Sequence, residues 1–282
     1  MKSKHSQVQA KFFDQQPPLS PWTELLVEKG VSLSFKPKEI FLKKVFDNWG
    51  FKASDRVLDV GCGQGIYLAR LARSYGFKGV GIDISRKSIE YAQKHLADKR
   101  LRFEAGEAIK LPFTEASFDK VVSFDALEHI EAQEKAVKEM VRVLKPGGRL
   151  LVYTLNKNDK YSLDWIWHKL GFKVYEQAMH KPELFVDAGW IKKLLSSLGM
   201  RQVKVRFFDA FFSLGMSEII MITALGFKKI GLGKSKLMGK LFLGFTSLMS
   251  RILYPVIFIL DSWWLMRGYS VGLCIEARKR EG

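Results

Sequence analysis

The chain has 282 residues, 47% of them hydrophobic, which is enough to bury a sizeable core, so wholesale disorder is not expected. Its formal net charge of +17 favours contact with polyanions, namely nucleic acid, an anionic membrane face or a phosphorylated substrate. The two cysteines, Cys62 and Cys274, lie far apart and indicate neither a disulfide framework nor a zinc site. A polar N-terminus without the apolar stretch of a secretory signal leads us to expect a cytoplasmic protein.

The first segment, 1–36, is polar and contains prolines, and we predict a lid in which a short helix around Phe12 and Phe13 packs over a site. Apolar residues then recur with helical period from Lys38 to Trp49. Further along, short apolar runs alternate with helical patterns, which indicates a parallel sheet covered by helices on both faces. The predicted strands are 56–60, 78–84, 101–105, 120–124 and 149–155, and the predicted helices between them are 67–75, 88–96 and 133–144.

The pattern after residue 155 is less regular. The predictions here are helices at 161–170 and 186–198, a sixth strand at 202–208 and a final strand at 270–277. The last two strands are separated by an insertion in which two apolar runs flank a lysine-rich stretch. We therefore predict three parts: a lid segment at 1–36, a sheet domain formed by 37–210 and 268–282, and a helical insertion at 211–267.

A glycine-rich turn follows the first predicted strand, with Gly61, Gly63 and Gly65 preceded by Asp59. Glycines let a ligand approach the backbone closely, and the helix after the turn points its free N–H groups toward that ligand. Asp83 ends the second strand, 22 residues after Gly61, where an acidic side chain can accept two hydrogen bonds from a ribose diol. This arrangement predicts a site for a nucleoside-containing ligand.

The spacing of the glycines distinguishes a site for a dinucleotide from a site for S-adenosylmethionine. A dinucleotide-binding loop needs a third glycine at position 66, which is Ile66 in this chain. S-adenosylmethionine has no phosphate and carries a sulfonium and an amino-acid head. The acidic Asp59 before the loop therefore suits S-adenosylmethionine better than a negatively charged pyrophosphate. The loop therefore favours S-adenosylmethionine as the cofactor.

Five segments of the chain resemble the motifs of class I S-adenosylmethionine-dependent methyltransferases. The resembling segments are 57–65, 81–85, 106–113, 118–119 and 144–148. The resemblance extends over about residues 37–205. It implies an α/β fold with a Rossmann-like seven-stranded sheet, an antiparallel last strand, and the cofactor at the carboxyl ends of strands one to four.

The same resemblance implies which residues contact the cofactor. Glu107 would face the adenine amino group. The expected cofactor-binding residues are Asp59, Gly61, Gly63, Gly65, Asp83, Ile84, Glu107, Ala108 and Phe124.

The segment after strand four, 125–129, contains the candidates for the chemical step. Methyl transfer is an in-line displacement, and a hydroxyl acceptor also needs a base or a metal ion. Histidine is the side chain type that can change charge near neutral pH, and we predict His129 to be the base or to position the acceptor. Asp125, Glu128 and His129 together could hold a divalent ion. The alternative is that His129 only bonds a neighbouring loop.

The Leu-Glu-His triplet at 127–129, together with 154–156, resembles the O-methyltransferases of ubiquinone biosynthesis. The chain departs from them at Asp125, where glutamate is expected, and at Lys157, where arginine is expected. His180 resembles the helix-leading histidine of quinone C-methyltransferases. Both relatives methylate rings with polyisoprenoid tails, so the resemblance implies a lipid-like or prenylated acceptor that is methylated at a hydroxyl or a ring carbon.

The insertion at 211–267 does not fit a membrane span. A span needs about 20 mostly apolar residues, but Glu218 interrupts the first run, and Arg251 and Pro255 interrupt the second. Lysines beside apolar helices and a tryptophan pair fit helices that lie in the interface of an anionic membrane. We predict peripheral attachment to the inner face of a membrane. A homodimer contact, an active-site lid and a membrane hairpin are the alternatives.

Other functions compete with methylation of a membrane-derived acceptor. The charge suggests an RNA methyltransferase, but the chain has no recognisable RNA-binding module, so nucleic acid is not the expected partner. A small-molecule methyltransferase with the insertion as a helical lid is a second alternative, and a non-catalytic cofactor-binding scaffold is a third.

Overall fold

The structure, a computed structural model, describes residues 4–15, 37–173, 175, 180–213, 215 and 236–281. Within these residues the strands are β1 (Arg56–Val60), β2 (Lys78–Asp83), β3 (Leu101–Ala105), β4 (Phe118–Phe124), β5 (Leu144–Leu155), β6 (Met200–Phe208) and β7 (Gly272–Lys279). They form a seven-stranded sheet in the order β3-β2-β1-β4-β5-β7-β6.

The direction of the strands agrees with the predicted fold class. β1 pairs in parallel with β2 and β4, and the parallel arrangement continues to β3 and β5. β7 is antiparallel to both of its neighbours, so that Cys274 pairs with Tyr153 of β5 and with Arg206 of β6. The Rossmann-like sheet with an antiparallel last strand is therefore confirmed.

Helices lie before, between and after the strands. They are α1 (Lys4–Gln15), α2 (Pro37–Trp49), α3 (Ile66–Tyr75), α4 (Arg86–His95), α5 (Gln133–Val143), α6 (Leu163–Lys169), α7 (Ala188–Ser197) and α8 (Lys236–Met266), with 3-10 turns at Leu127–His129 and Pro182–Leu184. Local caps fix several starts: the Ser85 hydroxyl accepts the Ser88 N–H at 3.1 Å, and Asp187 accepts the Trp190 N–H at 2.7 Å. The Ser85 cap is why α4 begins two residues before the predicted start at 88.

The core lies on both faces of the sheet because successive strand side chains point to opposite faces. In β1, Val57 packs in one cluster with Trp49 and Leu68, while Leu58 packs in the other cluster with Met140. All five side chains are fully buried. Helices therefore cover both faces, as the alternation of strands and helices predicted.

β5 and β7 differ from their predicted bounds. Residues 145–148 were expected as a turn before a strand at 149–155, but β5 begins at Leu144, which pairs with Phe118. A register shift follows before the next pair, so the turn is a bulge within the strand pairing. β7 lies two residues later than 270–277, because it continues to Lys279, which pairs with Met200 at the start of β6.

The insertion contains one long helix among its described residues. α8 has 31 residues and includes the second predicted apolar run, and it continues past Pro255. A proline removes one backbone hydrogen bond and usually kinks or breaks a helix, so the sequence alone would have divided α8 there. The first apolar run, 211–227, lies largely outside the described residues.

Candidate cofactor site and acceptor side

The turn from β1 to α3 needs glycine at two positions. Gly61 has φ +76°, and a Cβ there would lie 2.3 Å from the Cβ of Ala126. Gly65 has φ +79°, and its Cβ would lie 2.4 Å from the Phe103 ring. The N–H of Gly61 donates to the Ile82 carbonyl at 2.8 Å, so the turn is held against the end of β2.

Gly63 lies between these two glycines and faces the open side of the turn. It has φ +52°, but a Cβ built on it meets nothing within 4 Å. Gly63 also lines a cavity at the carboxyl ends of the strands. The turn is therefore a cradle whose middle glycine faces space where a ligand can lie.

Asp83 connects this cradle to the end of β2. Its Oδ2 accepts the Gly63 N–H at 2.8 Å, and its Oδ1 accepts the Ser85 N–H at 2.8 Å. Burial raises the pKa of the carboxyl, and the backbone N–H groups of Ser85, Gly63 and Ile84 act in the opposite direction. Each carboxylate oxygen keeps a further acceptor position, so Asp83 can still accept the two hydroxyls of a ribose.

Asp59 lies at the end of β1 and is 1% exposed. Its Oδ1 has no hydrogen-bond partner among the residues that the structure describes. Burial, and secondarily the charge of Asp83, raise the pKa of Asp59 to about 8. A cationic group such as the ammonium of S-adenosylmethionine would stabilise the ionised carboxylate, and this unsatisfied oxygen fits that group.

Six of the nine predicted cofactor residues line the cavity. They are Gly61, Gly63, Asp83, Ile84, Glu107 and Ala108. Gly65 instead packs on Phe103, and Asp59 lies buried at the end of β1. Phe124 packs on the far side, with its ring centroid 5.2 Å from Tyr67 and 5.5 Å from Phe46. The structure thus brings most of the predicted set together and leaves Phe124 outside the cavity.

α1 lies across the cavity and contacts both of its ends. Gln9 and Phe13 line the cavity, and the Gln9 amide donates to the backbone carbonyl of His129. At the other end, Asp14 Oδ1 accepts the Ser85 hydroxyl at 2.6 Å and the Lys87 N–H at 3.1 Å. The predicted helix over a site is present, but its polar contacts were not predicted, since no local sequence pattern points to them.

The acceptor side of the cavity is formed by the segment after β4. Asp125 has φ +49°, its N–H donates to the Tyr153 carbonyl at 2.9 Å, and it lines the cavity with His129. His129 is 9% exposed, and its ring lies between the edge of Phe13 at 5.3 Å and the face of His180 at 4.9 Å. The predicted candidate therefore lines the same cavity as the glycine turn and Asp83.

Glu128 is not among the residues that line the cavity. It is 1% exposed, and its Oε2 accepts the Thr154 hydroxyl at 2.8 Å. Its carboxylate and ring nitrogens of His129 and His180 lie within 4.8 Å of one another. Asp125, which the sequence analysis grouped with Glu128 and His129 as a set that could hold a divalent ion, is not part of this group, whereas His180 is.

α8 presents a second feature, here called the apolar stripe. Its eight side chains recur every three or four residues along one face of the helix and are each 47–78% exposed. They are Leu241, Phe245, Leu248, Ile252, Val256, Ile259, Trp263 and Met266. Within the described part of the chain, no helix has both the length and the apolar character required to cross a membrane.

α8 is attached to the sheet domain at its C-terminal end. Asp261 is 2% exposed and accepts the N–H groups of Phe212 at 2.8 Å and Ser213 at 2.9 Å. Trp264 stacks on Phe211 with ring centroids 6.3 Å apart. These contacts connect the helix to the segment that follows β6.

The family model and two relatives that match this chain are methyltransferases, in agreement with the cofactor predicted for the cavity. Residues 58–152 match the family model described as a methyltransferase domain. The 27-O-demethylrifamycin SV methyltransferase of Amycolatopsis mediterranei is 40% identical over 103 residues, 35% of this chain and 38% of that protein. The demethylmenaquinone methyltransferase of Lactobacillus johnsonii is 28% identical over 180 residues, 57% of this chain and 74% of that protein.

Solved structures show the same fold. Phosphoethanolamine N-methyltransferase 2 of Haemonchus contortus, in complex with S-adenosylhomocysteine, is 18% identical with a TM-score of 0.60, covering 95% of this chain and 62% of that chain. The [4+2]-cyclase SpnF is 19% identical with a TM-score of 0.55, covering 86% of this chain and 82% of that chain. At these identities the likeness concerns the fold alone.

The family match and the motifs define the class of the matched domain. The chain contains a class I methyltransferase domain with S-adenosylmethionine as its cofactor. The alignments span about two fifths of the length of the first curated relatives. The likeness to the demethylmenaquinone methyltransferase is distant, at 28% identity.

Proposed function

We propose that the whole chain is an S-adenosylmethionine-dependent methyltransferase that methylates a hydroxyl or ring carbon of a lipid-like, prenylated acceptor taken from an anionic membrane surface. The observation that carries this proposal is the apolar stripe of α8, which stands exposed on a chain that contains a methyl-donor site. The donor, the acceptor and the membrane contact are supported by different residues.

The donor half of the reaction rests on the cradle. Asp83 would accept the ribose hydroxyls, Asp59 would stabilise the ammonium of the amino-acid head, and Glu107 would face the adenine amino group. When bound, S-adenosylmethionine supplies a methyl group on a sulfonium, which is open to in-line attack. The contribution of these residues is to fix the donor so that the methyl carbon faces the acceptor.

The acceptor half rests on His129, which lines the cavity beside Asp125. For a hydroxyl acceptor, the oxygen forms a bond to the methyl carbon as the carbon–sulfur bond breaks, and the hydroxyl proton passes to the His129 imidazole. His129 is well held for this role because its ring is packed between Phe13 and His180. α1 serves as the lid that excludes water from the cavity.

The apolar stripe supports the membrane contact. A helix with a continuous exposed apolar face lies in the plane of a membrane interface rather than across it. At its C-terminal end the Arg267 guanidinium lies 3.9 Å over the Trp263 ring, and both residue types favour the headgroup level. The net charge of +17 adds attraction to anionic lipids.

A vesicle flotation assay tests the membrane contact. Purified chain is mixed with phosphatidylcholine vesicles containing 30% phosphatidylglycerol as an anionic lipid, roughly the regime in which basic apolar surfaces bind. The wild type should float with the vesicles, and Ile252→Asp with Ile259→Asp should release it. Phe258→Asp is the control, because Phe258 is exposed on the same helix but lies three or four residues from none of the stripe side chains.

Two results would contradict the membrane contact. The first is a wild type that ignores anionic vesicles. The second is a chain that dimerises in the absence of lipid through the stripe, as seen by sedimentation, and that becomes monomeric when Ile252 and Ile259 are replaced by aspartate. In that case the stripe would be a homodimer interface.

The acceptor class is tested separately by transfer of labelled methyl groups. Wild-type chain and labelled S-adenosylmethionine are incubated in turn with a total lipid extract, an aqueous metabolite extract and total RNA. Label should enter one lipid product. Label in a water-soluble product alone would instead support the second candidate, a small-molecule acceptor, which the 40% identity to a rifamycin-pathway enzyme favours.

A further inference from the structure

We infer that Glu128, His129 and His180 form a binding site for a first-row transition metal of the zinc type. This set differs from the one expected from sequence, in which Asp125 supplied an oxygen ligand. Two of the three residues come from the 3-10 turn Leu127–His129 after β4, and the third precedes the 3-10 turn Pro182–Leu184. The site is therefore assembled from two segments 51 residues apart in the chain.

The distances fit a metal centre after small side-chain movements. The carboxylate and imidazole ligand atoms all lie within 4.8 Å of one another. Tetrahedral ligands at about 2.1 Å from zinc lie roughly 3.4 Å apart, so rotations that move a ligand atom by about an ångström are sufficient. The two histidine rings already lie side by side, with an interplanar angle of 24°, so both can turn a nitrogen toward the same point.

The surroundings hold each ligand in place, as the outer partners of metal ligands commonly do. The Thr154 hydroxyl donates to Glu128 Oε2 at 2.8 Å and orients the carboxylate. The N–H of His129 donates to the Ala126 carbonyl at 3.1 Å, and the N–H of His180 donates to the Tyr175 carbonyl at 2.8 Å. The backbone that supports all three side chains is thus fixed by hydrogen bonds.

The ligand types select the metal. Two imidazoles and one carboxylate suit Zn²⁺, Co²⁺, Fe²⁺ or Mn²⁺, whereas Mg²⁺ and Ca²⁺ prefer sites made of oxygen ligands. A tetrahedral ion with three protein ligands keeps a fourth position open, as in catalytic zinc sites. His129 lines the cavity and Glu128 lies behind it, so that open position would face the cavity.

The position of the site suggests what the ion does, a point that rests on the proposed function. An acceptor oxygen on the open position would lose its proton more readily, because a Lewis acid lowers the pKa of a bound hydroxyl. In that case the metal, and not the His129 base of the metal-free step described above, would ionise the acceptor, and the proton would leave to solvent as the acceptor binds, before α1 excludes water from the cavity. Metal binding itself does not depend on the identity of the acceptor.

Metal binding is tested directly on tag-free, EDTA-treated full chain. Zn²⁺ is titrated by calorimetry, and Co²⁺ is titrated by its visible absorption in the same buffer. One ion per chain should bind with a tetrahedral Co²⁺ spectrum. His180→Gln and Glu128→Gln should each weaken binding by roughly 10-fold to 100-fold or more.

Two control variants sharpen the test. His95→Gln removes a histidine that stacks on Tyr91 in α4, away from the cluster, and should leave binding unchanged. Asp125→Asn should also leave it unchanged. S-adenosylmethionine affinity, measured for the Glu128, His180 and His95 variants, reports whether the cradle remains folded, and it should not change.

The inference is overturned by any of three results. These are the absence of saturable uptake of one ion, uptake that is insensitive to both His180→Gln and Glu128→Gln, and uptake that is lost with Asp125→Asn but kept with His180→Gln. Saturable uptake without methyl transfer into lipid would leave the metal site standing and contradict only the proposed acceptor.

Discussion

Gly63 and Asp83 are joined by a hydrogen bond of 2.8 Å from the glycine N–H to the aspartate Oδ2, across 20 residues of sequence. This bond joins the turn after β1 to the end of β2, so the cradle and its acidic residue form one unit. The two elements that we propose contact the cofactor are thus positioned before it binds. Such preorganisation lowers the conformational cost of binding.

The first prediction concerns a methyl group placed in the cradle. Gly63→Ala should abolish measurable S-adenosylmethionine binding, because the new Cβ enters the space that Gly63 faces. It should cost only about 1–2 kcal/mol of stability, the usual penalty for a left-handed non-glycine residue. Calorimetric titration and thermal unfolding measure the two effects.

Gly199→Ala is the matched control. Gly199 has φ +77°, its Cβ would also meet nothing within 4 Å, and it lies before β6, away from the cavity. Its loss of stability should equal that of Gly63→Ala, with unchanged cofactor affinity. If the cofactor still bound to Gly63→Ala with wild-type affinity, the cradle would not be the donor site.

Much of the strand pattern and of the cofactor cradle could be predicted from sequence, because the sequence patterns that indicate them are local. β1 and β3 have the predicted bounds, and Gly61, Gly63 and Asp83 lie together where the motif spacing placed them. Hydrophobic period and turn glycines act over a few residues, and the parallel sheet then brings their ends to one edge.

The unpredicted contacts are those formed across long stretches of chain. Gln9 reaches His129 over 120 residues, and Asp14 reaches Ser85 over 71. Neither residue type has a local pattern that points to its partner. Phe124 was expected in the site from its motif position, but its side chain lies among Tyr67 and other aromatic rings, because alternate residues of a strand face opposite sides.

The second prediction concerns pH and Asp59, whose pKa is raised to about 8 in the folded chain. The folded state therefore holds this proton more tightly than the unfolded state, whose carboxyl titrates near 3.9. The resulting stability is fully present below about pH 4 and is lost as the pH rises through 8. Asp59→Asn should flatten this fall in melting temperature between pH 5 and 9.

Cofactor binding should oppose this loss of stability at higher pH, since an ammonium near Asp59 favours the ionised carboxylate. The stabilisation by S-adenosylmethionine should therefore grow as the pH rises toward 8 in the wild type, and should grow less in Asp59→Asn. Glu104→Gln, a change to an exposed carboxylate on β3, serves as the control. Identical pH profiles for wild type and Asp59→Asn would contradict the assignment.

The third prediction concerns α1. With α1 in place the cavity measures ≈ 170 Å³, below the roughly 300–1,000 Å³ of ligand pockets, and we predict that the helix shifts outward when donor and acceptor are both bound. Asp14→Ala removes the bonds to Ser85 and Lys87 that hold one end of α1. Release of S-adenosylhomocysteine, followed by stopped-flow fluorescence, should become several-fold faster.

Lys11→Ala changes the same helix without removing a bond to Ser85 or Lys87 and should leave the release rate unchanged. If release were equally slow in wild type and Asp14→Ala, the contact between α1 and α4 would not control access to the cavity.

The last prediction separates two ways in which His129 can act. His129→Gln should lower kcat by roughly 10²-fold to 10⁴-fold, the usual contribution of a positioned acid or base, with little change in cofactor affinity. His95→Gln is the control. If the kcat of His129→Gln stayed within about twofold of wild type, His129 would be removed from the mechanism.

His180→Gln then distinguishes a base from a metal ligand, because His180 lies beside His129 but is not among the residues that line the cavity. If His129 acts only as a base, His180→Gln should keep a substantial kcat that does not respond to zinc. If the two histidines share a metal, kcat should fall in both variants, and zinc should restore activity to EDTA-treated wild type but to neither variant.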